Sequence, residues 1–286
     1  MSPQTALVDA DWLKANLDDP DLLVLDASWY LPAQGRDAEA EFFEAHIPGA
    51  QRFDFDKRFA DTSTPLPHMM PSAEQFQREA RALGIKTGSR IVVYDGAGIF
   101  AAPRAWWMFR AMGHQAVSVL DGGLPAWRSA GGPVESGTGT ARPAGDFVAS
   151  PQAELLRSAT QVQAVLGDGS AVVVDARPAA RFTGAEAEAR PGLRAGHMPG
   201  SRNLPFSLML ADGRYRDADG LNAALDAAGI DADKPLIASC GSGVTAAIVA
   251  LGAEIAGRPP VAVYDGAWAE WGQETRPDLP VVKGEA

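Results

Sequence analysis

In Leu236-Ile237-Ala238-Ser239-Cys240-Gly241-Ser242-Gly243-Val244-Thr245 a short apolar run ends on the chain's single cysteine, and two of the next three residues are glycine. A short apolar run bounded by glycine reads as a strand covered on both faces, and residues at the carboxyl end of such a strand face a working crevice. Glycine lets the following backbone curl until several N–H groups point at one sulfur, and a helix predicted from Val244 adds the positive end of its dipole. Both effects favour thiolate over thiol. No Lys, Arg or His lies within the loop, so backbone amides are its expected stabilisers.

Outward from this stretch, the chain repeats itself. Ile91-Val92-Val93-Tyr94-Asp95-Gly96 is an earlier version of the same strand and turn, with Asp95 where the later copy has Cys240. Leu23-Val24-Leu25-Asp26-Ala27 recurs as Val172-Val173-Val174-Asp175-Ala176, and His46-Ile47-Pro48-Gly49-Ala50 as His197-Met198-Pro199-Gly200-Ser201. Val119-Leu120-Asp121-Gly122-Gly123 with Trp127 recurs as Val263-Tyr264-Asp265-Gly266-Ala267 with Trp271. The offsets are nearly constant: 26→175 is 149, 46→197 is 151, 95→240 is 145 and 121→265 is 144. A period of this size is a duplicated domain, far above the 20–50 residues of a solenoid repeat.

The intervening residues 131–150 are rich in Gly, Pro, Ser, Thr and Ala and read as a linker between domains at 1–130 and 151–286. Strands are expected at 22–25, 91–94, 172–174, 236–239 and 261–264, with helices at 72–83, 102–112, 221–228 and 244–256. Apolar strands alternating with helices give an α/β fold, each copy a mainly parallel sheet flanked by helices.

Composition narrows the chemistry. The 286 residues are 46% apolar and 21% charged, as in a globular chain with room for two cores. A formal net charge of −11 argues against nucleic acid and anionic membrane as partners. No uninterrupted apolar stretch is long enough to span a bilayer, and the first residues lack the pattern of an export signal. One cysteine forms no internal disulfide, which fits a reducing cytoplasm, and it excludes a multi-cysteine zinc site. The four histidines show no ligand spacing, so a metal enzyme is not the first expectation.

A lone cysteine is often a buried structural residue. The strand–loop–helix position and the glycines beside the sulfur favour a reactive one. A cysteine phosphatase would close its loop with an arginine to grip the phosphoryl group. Here Thr245 is followed by Ala246 and Ala247, and no arginine comes before Arg258, so that chemistry is disfavoured.

The loop from Cys240 to Thr245 resembles the active-site loop of the 3-mercaptopyruvate branch of the rhodanese family. The resemblance extends over nearly the whole chain, through Asp26-Ala27-Ser28-Trp29-Tyr30, His46-Ile47-Pro48-Gly49-Ala50, Pro103-Arg104-Ala105-Trp106-Trp107-Met108-Phe109-Arg110, Leu120-Asp121-Gly122-Gly123 and Tyr264-Asp265-Gly266-Ala267-Trp268. It implies two tandem rhodanese-like domains, the first catalytically silent, in keeping with Asp95. It also implies a sulfurtransferase that carries sulfur on Cys240 as a persulfide, with no metal or organic cofactor. Members that use thiosulfate carry basic residues where Gly241 and Ser242 stand here.

A donor such as 3-mercaptopyruvate needs fixed positive charge beside the cysteine. Arg177, Arg181, Arg190 and Arg194 are the candidates in the segment after Asp175. The resemblance selects Arg181 and Arg190 as the substrate-binding pair, with Gly241, Gly243, Val244 and Thr245 lining the anion site. It further implies a proton relay of Ser242, His68 and Asp56, placed in a cleft between the domains. Asp54 and Asp61 compete with Asp56, and one residue more than the family pattern separates Asp56 from His68. Phe100 stands where some members have a tyrosine.

The implied partners are a small-molecule sulfur donor and an acceptor thiol such as thioredoxin. Thiosulfate as donor is the alternative, and a non-catalytic persulfide carrier is the reading from another class. His46 and His197 recur in both copies and are expected to be structural, Asp121 and Asp265 turn formers, and Trp106 and Trp107 core or interface residues.

Overall fold

The structure, a computed structural model, describes residues 5–230 and 232–285. Its contacts divide the chain into two compact units. The first takes the residues through Asp61, Met70–Gln152 and the turn Asp212–Arg214; the second takes Thr62–Met69, Ala153–Ala211 and the residues from Tyr215 onward.

In the first unit the order is β1 (Leu7–Val8), α1 (Ala10–Asn16), β2 (Leu22–Asp26), α2 (Ala38–Glu44), β3 (Gln51–Arg52), α3 (Ala73–Ala82), β4 (Arg90–Tyr94), α4 (Ala102–Ala111), β5 (Val117–Leu120) and α5 (Gly123–Ser129). The second runs β6 (Leu156–Arg157), α6 (Ala159–Asp168), β7 (Val172–Asp175), α7 (Ala179–Thr183), β8 (Arg202–Asn203), the hairpin β9 (Leu210–Ala211) and β10 (Arg214–Tyr215, of which Arg214 groups with the first unit), α8 (Ala218–Ala227), β11 (Leu236–Ser239), α9 (Ala246–Ile255), β12 (Ala262–Tyr264) and α10 (Ala267–Trp271).

The two sheets share one plan. Their orders are β1-β5-β4-β2-β3 and β6-β12-β11-β7-β8, and every pair in them is parallel. Central strands β4 and β11 are buried on both faces, which is why their sequences are continuously apolar rather than alternating. Ser239 lies in register with Asp175, so Cys240 emerges just past the carboxyl edge of the sheet. Asp26 pairs with Tyr94 in the same way, and Asp95 emerges at the equivalent edge of the first sheet.

Two helix starts differ from the sequence expectation. The helix expected from Leu221 begins at Ala218, because the Asp217 carboxylate caps it by accepting from Gly220 N (2.8 Å). The helix expected from Val244 begins at Ala246, because Gly243 takes φ +79° and keeps residues 240–245 as a loop. Strands β1, β3, β6 and β8 are two residues each, too short to leave a periodic signal.

Residues 131–150, read as a loose linker, are strapped to the first unit. Gly145 N donates to Arg81 O (2.8 Å), Phe147 N to Ile85 O (3.1 Å), Thr87 N to Asp146 Oδ1 (2.8 Å) and Arg81 Nε to Phe147 O (2.7 Å). Phe147 is buried against Phe76 at a ring separation of 5.9 Å. Hydrogen bonding of the strap, which composition does not encode, overrides its linker-like sequence.

The His-x-Pro-Gly turns do the same task in each copy. His46 Nδ1 lies 2.8 Å from Phe42 O with the rings stacked at 4.0 Å, and His197 Nδ1 lies 3.0 Å from Phe182 O with the rings at 3.9 Å. Both imidazoles are buried structural anchors, as their recurrence implied. Trp106 and Trp107 fill the first core, and the fully buried Arg104 guanidinium lies 4.6 Å from the Trp107 ring. Among the described residues no helix is long and apolar enough to cross a membrane.

Candidate active site

The loop after β11 carries Cys240, Gly241, Ser242, Gly243, Val244 and Thr245 into α9. Its outer chain is fixed by α10: Trp268 N donates to Cys240 O and Ala269 N to Gly241 O, both at 2.9 Å. Gly243 supplies the left-handed turn that reverses the loop. Gly241 has an ordinary φ and a different reason to be glycine. A Cβ there would lie 3.6 Å from Arg181 Nη2, so a longer side chain would run into the guanidinium.

Thr245 occupies the N-cap of α9 but makes no side-chain cap bond. Among the described residues no oxygen accepts the N–H of Ser242, Val244 or Thr245. These donors, with the helix dipole behind them, can hold an anion on Cys240. Cys240 and Ser242 are both buried, so a charge here is poorly reached by water.

Arg181 sits on α7 with its side chain 26% exposed, and behind it lies a buried ionic chain. Glu188, 1% exposed, accepts from Arg181 through Nε (3.3 Å) and Nη2 and from Arg177 Nη1 (2.7 Å). Arg177 in turn donates to Asp175 through Nε (2.9 and 3.0 Å) and Nη2 (2.5 Å), donates to Gly196 O (2.9 Å), and lies 4.1 Å from the Trp268 ring centre. Of the four arginine candidates, Arg177 is therefore a structural ion-pair residue. Arg194 serves a similar end, donating through Nη2 to the carbonyls of Trp271 (2.7 Å), Arg276 (3.1 Å) and Leu279 (2.9 Å).

Arg190 lines a separate cavity of about 250 Å³ with Pro65, Leu66, Pro67, Ala269 and Thr275. That cavity adjoins the cysteine loop through the Ala269–Gly241 bond. His68 follows Pro67; it is buried and holds φ +60°, a conformation costly for a residue with a Cβ. Ser242 and His68 belong to the second unit and Asp56 to the first. Asp56 lines a polar cavity of about 300 Å³ with Ser28, Trp29, Arg52 and Asp54, and its N–H donates to Asp54 Oδ1 at 3.1 Å. Phe100 stacks on Trp29 at 6.2 Å in the same unit.

Sequence reasoning missed Glu188. It stands in Ala185-Glu186-Ala187-Glu188-Ala189, a run with the look of an exposed loop, and nothing in it separates Glu188, whose side chain is shielded from solvent, from the exposed Glu186. It also gave no weight to the Trp268 and Ala269 amides, because main-chain donors have no sequence signature.

Doubled parallel sheets of one order, with a cysteine loop in one copy and a carboxylate loop in the other, define a two-domain sulfur-handling protein of the rhodanese class. The rhodanese-like domain pattern matches residues 9–130 and 158–274, and the chain belongs to the rhodanese family. It is 44% identical to the rat (Rattus norvegicus) 3-mercaptopyruvate sulfurtransferase over 98% of this chain and 96% of that protein. It is 43% identical to the thiosulfate sulfurtransferase of Gallus gallus, with 97% of each covered. Among solved structures, SseA from Escherichia coli, described with the 3-mercaptopyruvate sulfotransferases, superposes with a TM-score of 0.85 at 41% identity, over 93% of this chain and 99% of that one.

Proposed function

We propose that this chain is a 3-mercaptopyruvate sulfurtransferase, moving the donor's sulfur through a Cys240 persulfide to a thiol or cyanide and releasing pyruvate. One observation supports the site: the loop that carries Cys240 past the sheet edge has no oxygen acceptor for its Ser242, Val244 and Thr245 amides among the described residues, and Arg181 Nη2 lies 3.6 Å from where a Gly241 Cβ would stand.

Arg181 and Arg190 hold the donor's carboxylate and carbonyl by charge-assisted hydrogen bonds. The Cys240 thiolate attacks the donor sulfur, an S–S bond forms and the C–S bond breaks. The electron pair of that bond passes to carbon as the enolate of pyruvate. A proton delivered by the proposed relay of Ser242, His68 and Asp56 completes pyruvate. Amides of residues 241–245 stabilise the persulfide anion. An acceptor thiolate, such as that of thioredoxin, then attacks the outer sulfur and frees the Cys240 thiolate, a two-step exchange. The single cysteine fits a reducing compartment, and the cytoplasm is the proposed location.

Mass spectrometry after incubation with 3-mercaptopyruvate tests this: one sulfur gained on Cys240 with pyruvate released is expected. An unmodified cysteine sinks the proposal. Thiosulfate is the second reading, supported by the resemblance to a thiosulfate sulfurtransferase. The neutral Gly241-Ser242 pair speaks against it, since a dianion gains from basic residues there. A higher kcat/KM for thiosulfate than for 3-mercaptopyruvate would reverse the order.

A further inference from the structure

The donor-gripping arginine is not a bare cation. Arg181 gives the edge formed by Nε and Nη2 to Glu188, leaving the Nη1–Nη2 edge of its fork for a ligand. Glu188 is itself held from behind by Arg177, and Arg177 by Asp175 beside the cysteine strand. Two carboxylates and two guanidiniums thus form one continuous chain, buried up to the part-exposed Arg181 at the loop, and its formal charge is zero. Neutrality has a consequence for the donor. A surplus positive charge beside Cys240 would attract a dianion about twice as strongly as a monoanion, and burial keeps that difference from being screened.

We infer that Glu188 is a specificity-determining and positioning residue: it fixes the Arg181 fork and cancels its surplus charge, so that the site favours a donor with one carboxylate over the doubly charged thiosulfate. This rests on the donor-binding role proposed for Arg181. It is independent of the Gly241-Ser242 pair, because Glu188 acts from behind the guanidinium and not from the loop.

The test is donor selectivity. Glu188→Gln keeps the side chain's size and removes its charge, leaving the chain one positive charge in surplus. The ratio of kcat/KM for thiosulfate to that for 3-mercaptopyruvate is expected to rise about tenfold. A purely structural glutamate would lower both values together, and an unchanged ratio in a variant folded by circular dichroism overturns the inference. Glu188→Asp keeps the charge and shortens the reach. It is expected to raise KM for 3-mercaptopyruvate severalfold while holding the ratio within about twofold of wild type. A ratio shift in Glu188→Asp as large as the tenfold expected of Glu188→Gln overturns the charge argument even if Glu188→Gln does not fold. Failure of the underlying reading looks different: wild-type protein would then gain no sulfur from 3-mercaptopyruvate at all.

Discussion

The loops after β4 and β11 occupy equivalent places in equivalent sheets and spend their amides differently. In the first, the Asp95 carboxylate accepts from Ala97 N (2.9 Å), Phe100 N (3.0 Å), Ala101 N (2.8 Å) and Ala102 N (2.8 Å), so the chain supplies its own anion to the helix start. In the second, Cys240 stands at that position and the Ser242, Val244 and Thr245 amides have no oxygen acceptor among the described residues. One fold thus gives a sealed loop and an open one. The difference teaches that the cradle is a property of the strand–loop–helix backbone, and that one side chain decides whether its amides are filled by the chain's own carboxylate or left open. Burial pushes the Asp95 carboxyl above its ordinary value while the four amides pull it down.

The largest effect should come from the open loop. Cys240→Ser is expected to lower sulfur transfer by on the order of 10³-fold or more, because a serine hydroxyl does not form the persulfide. The assay is pyruvate release with 3-mercaptopyruvate and a thiol acceptor. Activity within tenfold of wild type would break the contrast between the two loops.

In the sealed loop the same kind of change should be structural. Asp95→Ala leaves four amides without their acceptor and is expected to cost about 3 kcal/mol of stability. Denaturant unfolding would measure it, together with turnover at a temperature where the variant is folded. A loss below about 1 kcal/mol would mean that the four bonds are nearly balanced by the burial of the charge.

The open loop also depends on its turn. Gly243 has φ +79°, so Gly243→Ala forces a Cβ into the left-handed region, at about 1–2 kcal/mol. The amides of 242–245 would then tilt away from the sulfur, and kcat/KM is expected to fall about tenfold. Gly241→Ala has no such strain, and its Cβ at 3.6 Å from Arg181 Nη2 is an ordinary contact. An effect of Gly241→Ala as large as that of Gly243→Ala would show that space, and not backbone conformation, governs the loop.

The contrast between Asp95 and Cys240 was legible in the sequence because both follow apolar strands and are followed by glycine, and because short phrases repeat at a near-constant offset. The offset drops from 145 to 144 after these residues because the first loop, 95–101, is one residue longer than 240–245. Positions whose role depends on the partner across space were not legible. Arg177 and Arg181 look alike in sequence, yet one is buried between Asp175 and Glu188 while the other reaches the loop. The same holds for residues 131–150, whose Gly- and Pro-rich composition predicts a loose link and whose main-chain hydrogen bonds make a strap.

The smallest effect concerns the histidine anchors and sharpens the comparison between the copies. Burial holds the His197 imidazole below its ordinary value, against the pull of the Phe182 carbonyl and Asp175. A histidine with a depressed folded value takes up its proton more readily when unfolded, so the unfolded chain binds more protons as the pH falls through the ordinary histidine range near 6.5. Stability from His197 is therefore complete above that range and is lost as the pH falls through it and below. His114 in the first unit is shifted the same way by burial, so each histidine needs its own variant. Urea midpoints of wild type and His197→Gln at pH 7.5 and 5.5 isolate the share of His197, and the expected outcome is a shallower pH dependence in the variant. An imidazole of His197 that titrates by NMR at or above the ordinary histidine value would reverse the sign and remove the effect.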